Sequence, residues 1–425
     1  MKVLSFILSV ILLSMLSSCE EKDHAMGQLK GMFTVTVENV SEPYDFFESG
    51  VVTIPDGAME AGPATPGNSF TFSFHAGKKH MLSFATMYGI SNDLFYAPDG
   101  VGIALYDASG MPVEGDITSQ IYLWDAGTEV NEEPGVGPNT GPQQSAPNTG
   151  PDENGTVRKI ADVMDGYTYP PVADNIKVML TYDGDNMFTV KIEVLEGSST
   201  PVSPVAWVVH STENPLFTEN MADYGNGLEG LAEDGNAPGL ADYLAMHSGY
   251  VSPVAPVLWV LHHKNDMPIF TEDTPDYGIG LEKLAETGDP SDLFSALEAE
   301  KYDVGVVNMP EGASEAGPLF PGDKYMFTFE GQPGDYLSIA SMLGASNDIF
   351  FAFGDMGIPL FTSSVALSGD LTGYVMLWDA GTEVNEYPGA QTSADTVEGG
   401  NVRMLDDGLP WPEAAQVIKV TIMKN

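Results

Sequence analysis

The chain has 425 residues, enough for two or three domains that each bury a core without a metal or disulfide to hold them. Against 16 Lys and Arg stand 61 Asp and Glu, a formal net charge of −45. That balance argues against nucleic acid as a partner, because phosphate neutralisation needs clustered basic groups, and against unaided docking on anionic lipid.

The first eighteen residues read as a signal peptide. Lys2 precedes an apolar run from Val3 to Leu16, followed by the small residues Ser17 and Ser18. The run is short of the roughly 20 apolar residues that a membrane-spanning helix needs. Leu16-Ser17-Ser18-Cys19 resembles the lipobox of bacterial lipoproteins. The resemblance implies that Cys19 is acylated, becomes the mature N-terminus and anchors an exported protein in the bacterial cell envelope, at the outer membrane or cell surface. Cys19 is the one cysteine, so no thiol remains for redox or nucleophilic work. Residues 19–31, with Glu20, Glu21 and Asp23, read as an acidic tether.

Beyond the tether the local patterns are mostly strands. MFTVTVEN, FTFSFH, NIKVMLTY, FTVKIEVLE and VIKVTIMK alternate apolar and polar residues with period two and are rich in Val, Ile, Phe and Thr. The stretch 134–155, with PNTGP twice, has few apolar groups and is expected to be a mobile loop. Tyr182-Asp183-Gly184-Asp185-Asn186 reads as a turn. Leu228 to Glu233 and Leu293 to Glu300 suggest short helices. Neither a phosphate-binding glycine loop nor strand-helix alternation is found, which disfavours a nucleotide-binding fold.

The chain is an internal duplication. Gly50-Val51-Val52 matches Gly305-Val306-Val307, Ser91-Asn92-Asp93 matches Ser346-Asn347-Asp348, and LWDAGTEVNE occurs identically at Leu123–Glu132 and Leu377–Glu386. Upstream the register changes, because Phe33-Thr34-Val35 matches Phe188-Thr189-Val190. PVAWVVH (Pro204–His210) recurs as PVLWVLH (Pro256–His262), each followed by PLF or PIF, Gly-Leu-Glu and Leu-Ala-Glu. The linear reading is an all-β chain of two tandem antiparallel sandwiches, with module 1 over 32–183 and module 2 over 184–425. On this division module 1 lacks the front segment, and module 2 carries it twice as a partly helical insert at about 201–300.

Each copy of WDAGTE offers two carboxylates four apart, Asp125 and Glu129 or Asp379 and Glu383, around a glycine able to turn them toward one point. A hard cation such as calcium takes six to eight oxygens, some of them from neighbouring loops. Asp93 and Asp348, each in a Ser-Asn-Asp turn, are the third acids. An acidic loop in so acidic a chain also reads as a solvated face. Identity of these acids and of Trp124 and Trp378 between copies whose neighbouring segments have drifted favours the metal.

At these residues the sequence resembles the spondin domain, the N-terminal module of the F-spondin and mindin family. The SNDLF and SNDIF turns are similar to the family's Asp-aromatic turn, and WDAGTE to its WDAGTD. The resemblance implies C2-like sandwiches with calcium held by Asp93, Asp125 and Glu129, and by Asp348, Asp379 and Glu383. The site is expected to be better formed in module 2, which keeps the front segment. A non-enzymatic role in adhesion to an extracellular protein, matrix or polysaccharide follows. Glu129 and Glu383 depart from the family's last Asp by one methylene.

The rival chemistry is hydrolysis. Asp-Ala-Gly-Thr twice in a duplicated all-β chain is similar to the paired Asp-Thr-Gly loops of aspartic proteases, where two carboxylates share a proton. The Trp before and the acid after each loop count against it. His210 and His262 at strand ends read as satisfied structural groups, and Trp207 and Trp259 as core anchors.

Overall fold

The computed structural model describes residues 30–392 and 396–425. The signal stretch, Cys19 and residues 20–29 of the tether lie outside them. Leaving aside two-residue strands at Ile103–Ala104 and Gly115–Asp116, the strands up to the first long helix are β1 (Gly31–Asn39), β2 (Glu48–Val52), β3 (Ser69–His75), β4 (Met81–Met87), β5 (Leu94–Ala97), β6 (Tyr122–Asp125), β7 (Arg158–Lys159), β8 (Ile176–Gly184), β9 (Met187–Val194) and β10 (Val205–His210). Helices α1 (Leu228–Asp234) and α2 (Ala237–Met246) follow, then β11 (Val257–His263), α3 (Leu281–Thr287) and α4 (Ser291–Ala299). The chain closes with β12 (Asp303–Val307), β13 (Lys324–Gly331), β14 (Asp335–Met342), β15 (Ile349–Ala352), β16 (Met376–Asp379), β17 (Arg403–Met404) and β18 (Ile418–Lys424).

These strands form antiparallel sheets, and the molecule is an all-β sandwich protein with few helices. In the first sandwich the order β3-β9-β8 faces the order β2-β10-β4-β5-β6-β7. In the second, β13-β1-β18 faces β12-β11-β14-β15-β16-β17. Between the facing sheets lie two apolar cores, one including Phe72, Phe188 and Trp207, the other Phe33, Trp259 and Phe327. A third layer covers the outer face of each larger sheet: α1 and α2 pack on Ala206 and Val208, α3 and α4 on Leu258 and Val260. Burial on both faces explains why β10 and β11 read as continuous apolar runs rather than alternating ones.

Strand pairing corrects the linear division into modules. The segment assigned to an insert in the second module is shared out: β10 with α1 and α2 completes the first sandwich, and β11 with α3 and α4 the second. The turn after β8 is a hairpin inside the first sandwich, since β8 and β9 pair along their length. The equivalent of β9 in the second sandwich is β1, which lies between β13 and β18 as β9 lies between β3 and β8. Neither sandwich therefore lacks a front segment. The physical reason lies in the repeated tryptophan. Trp207 sits opposite Gly50 of β2 and stacks on Phe72, while Trp259 sits opposite Gly305 of β12 and stacks on Phe327. A Cβ on Gly50 would come within 2.5 Å of the Trp207 ring, so the repeated glycine is what lets each indole lie flat on its own edge strand.

Within the 134–155 stretch, hydrogen bonds tie the chain back to the sandwich, with Gly135 N donating to Ile90 O at 2.7 Å, Gly141 N to Ser91 O at 2.8 Å, and Asn139 Nδ2 to Glu132 at 2.7 Å.

Candidate functional site

The pairing of β5 with β6 places Leu94 opposite Asp125, and that of β6 with β7 places Asp125 opposite Arg158. Asp93, one residue before β5, thus meets Asp125 at one end of the sheet. Both are fully buried. Asp93 Oδ2 accepts hydrogen bonds from the backbone N–H groups of Thr128 and Glu129, each at 3.2 Å. Asp125 Oδ1 accepts from Gly127 N at 2.7 Å, closing an Asx turn that Gly127 allows through its φ of +69°. Asp125 Oδ2 accepts from Asn131 Nδ2 at 2.9 Å and from Arg158 Nε at 3.1 Å.

The third carboxylate at this point is Glu153. Oxygens of Asp93, Asp125 and Glu153 all lie within 4.8 Å of one another, and Glu153 also holds Arg158 at 2.6 Å. Glu129, the acid expected here from sequence, contributes its backbone N–H while its carboxylate accepts from Asn92 Nδ2 at 3.2 Å and Gly150 N at 2.7 Å. The reason is local: the backbone N–H of Glu129 is committed to Asp93, and Asn92 draws the side chain the other way. The sequence signal for Glu153 and Arg158 is the repeat of Glu-Asn-Gly-Thr-Val-Arg at 153–158 as Glu-Gly-Gly-Asn-Val-Arg at 398–403, with the same spacing.

The second copy has the same frame. Asp348 Oδ2 accepts from the N–H groups of Thr382 at 2.8 Å and Glu383 at 3.0 Å. Asp379 accepts from Gly381 N, Asn385 and Arg403, and Arg403 also pairs with Glu398. Asp348 and Asp379 are buried together. Among the described residues, three mutually close carboxylates occur in the first copy, the reverse of the expectation that the second would be better formed.

Burial, then repulsion from Asp125, pushes the Asp93 carboxyl well above its usual range, and burial raises Asp125 despite the adjacent Arg158. Burial and then Asp348 push Asp379 up to about 6. Asp93 Oδ1, Asp348 Oδ1, Glu153 Oε2 and Asn131 Oδ1 are buried without a hydrogen-bond partner. Buried polar atoms are ordinarily satisfied, and each orphan costs about 1–3 kcal/mol. With all three carboxylates ionised, as cation binding requires, the one guanidinium leaves two negative charges, which one divalent cation balances. Opposed ligands around calcium stand about 5 Å apart, so the spacing of these oxygens fits the ion.

Asp125 and Asp379 belong to separate sheets, and each is bonded to its own arginine. They are not arranged to share a proton. His210 Nε2 lies 2.9 Å from Ser83 Oγ with Nδ1 on Thr212 O, and His262 repeats this with Ser338 and His263 O. Both rings are buried, and burial lowers His210 to about 4. Among the described residues no helix is long and apolar enough to cross a membrane. No family model matches the chain, and no curated protein matches it.

Proposed function

We propose that this is a lipid-anchored protein of the bacterial cell surface in which two spondin-like, C2-like sandwiches use calcium to order paired acidic loops for contact with an extracellular protein, matrix or polysaccharide. The observation that carries the reading is the buried, unpartnered Asp93 Oδ1 grouped with Asp125 and Glu153, with its counterpart Asp348 Oδ1 in the second copy. In the first copy Asp93, Asp125 and Glu153 would hold the ion, with Glu129 as a positioning residue. In the second, Asp348 and Asp379 are the matching acids and Glu398 stands where Glu153 does. Bound calcium neutralises carboxylates that otherwise repel, and it stabilises the folded state by mass action. The lipid anchor at Cys19 and the extracellular partner rest on sequence resemblance alone.

Calcium is expected to raise the melting temperature of the wild-type protein, and the double variant Asp125→Asn/Asp379→Asn to lose that rise. Identical melting curves in calcium and in chelator would overturn the reading. Peptide hydrolysis abolished by the same two substitutions, regardless of calcium, would establish the hydrolase instead.

A further inference from the structure

Where β16 meets β17, the segment 405–415 bounds a groove of about 530 Å³ that the acidic loops leave unused. Met376, Met404, Leu405 and Trp411 form its apolar part. The indole plate is held in place, because Trp411 Nε1 donates to Asp407 Oδ2 at 3.0 Å and Asp407 Oδ1 accepts from Leu409 N at 2.9 Å. Asp406, Asp407 and Glu413 stand along the same groove, and among the described residues no Lys, Arg or His lines it.

The first sandwich carries its own cation at this place. Asp-Gly-Tyr-Thr-Tyr-Pro at 165–170 corresponds to Asp-Gly-Leu-Pro-Trp-Pro at 407–412, and Tyr169 Oη donates to Asp165 Oδ2 at 2.6 Å as Trp411 does to Asp407. By strand register, Lys159 opposite Trp124 corresponds to Met404 opposite Trp378, and Tyr122 opposite Ala97 to Met376 opposite Ala352. The Lys159 ammonium lies 3.9 Å from the centre of the Tyr122 ring and 5.3 Å from that of Trp124. Two methionines replace that ring and cation in the second sandwich, so its carboxylates remain while the built-in positive charge is gone. Methionine is flexible and polarisable, which suits a surface that closes on an incoming group.

We propose that this groove receives a Lys or Arg side chain, with an apolar neighbour, from an extended segment of a partner protein. The stem of that side chain lies along Met376 and Met404, and its charged head faces Trp411 and the carboxylates, since an aromatic face and an acidic rim both attract a cation. A neutral sugar would leave the three carboxylates uncompensated, and an anionic lipid would be repelled by them. The extracellular setting of the partner rests on the surface role proposed above, but the groove does not require calcium at either acidic loop.

Fluorescence anisotropy of a labelled peptide of alternating Leu and Arg, titrated with the mature full chain in chelator at physiological ionic strength, tests it. Wild type is expected to bind this peptide and to ignore both its Leu/Ser counterpart and a neutral oligosaccharide. Met376→Tyr/Met404→Lys, which installs the ring and cation of the first sandwich, and Trp411→Ala are each expected to weaken binding about tenfold or more, with the fold intact by circular dichroism. Glu60→Gln, an equal change of charge at an exposed position of the first sandwich, is expected to leave binding unchanged. Equal weakening by Glu60→Gln would overturn the proposal, because the peptide would then answer only to the general charge of the chain. Equal binding of the Leu/Ser peptide or of the oligosaccharide would overturn it too, as would wild-type affinity in both groove variants. Asp125→Asn/Asp379→Asn is expected to lose the calcium-induced melting rise and keep the peptide. A wild type that shows the rise but binds no peptide would overturn the groove and leave the calcium reading standing.

Discussion

Asp125 performs three tasks with one carboxylate. It caps the Asx turn through Gly127, holds Arg158, and brings an oxygen within 4.8 Å of the Asp93 carboxylate. Such crowding makes calcium binding compete with protons. Asp379, raised to about 6 from an ordinary 3.8, favours the fold most below its unfolded pKa and loses that contribution as pH rises through 6. The calcium-induced rise in melting temperature should therefore be large at pH 7.5 and shrink at pH 5; calorimetry at both values checks it, and an increment independent of pH would contradict it. His80 and His210 work in the opposite sense. Both are lowered by burial to about 4, so their contribution is complete above 6.5 and is lost as pH falls toward 4, with or without calcium. Gly50 gives a further test at this scale. Gly50→Ala puts a methyl against the Trp207 ring and should destabilise the first sandwich by about 1–3 kcal/mol in urea unfolding; an unchanged midpoint would refute the close-approach argument.

At the scale of elements, β1 matters most. Phe33, Val35 and Val37 are fully buried in the second sandwich, in a strand that pairs on both edges. Burying each of these side chains contributes about 1.5–3 kcal/mol. Deleting residues 31–39 should expose the chain from β11 onward to protease while β2 to α2 stays resistant. Equal resistance of both parts would contradict the assignment. The strand itself was legible in MFTVTVEN from its alternation, and β9 from FTVKIEVLE. Their partners were not, because register and alternation say which face a strand buries, not which sheet receives it. The repeat offsets showed that something was displaced between copies, yet an apparent insert and an exchanged strand leave the same offsets. Helix α2 is masked in the sequence by Pro238 and Gly239 in its first turn.

Across the whole molecule, the two sandwiches meet at the continuation of the second acidic loop. Tyr387 stacks on His75 with ring centroids 3.5 Å apart, and Asn186 Nδ2 donates to Glu386 at 3.4 Å. Glu132, its counterpart in the identical LWDAGTEVNE string, holds Asn139 of its own loop as Glu386 holds Thr392, and Glu386 takes on the bond from Asn186 in addition. Identical residues thus share one task while one of them adds a second, which no comparison of the copies alone could reveal. The two aspartates of the site were readable because their spacing to a turn-forming glycine is local. Glu153 was not, since it reaches them only through the pairing of β6 with β7. An experimental structure of the calcium-soaked protein should show an ion between Asp93 Oδ1, Asp125 and Glu153 with oxygen distances of about 2.4 Å. Arg158 bonded to Asp125 and Glu153 as here, with only water or nothing beside Asp93 at saturating calcium, would contradict it.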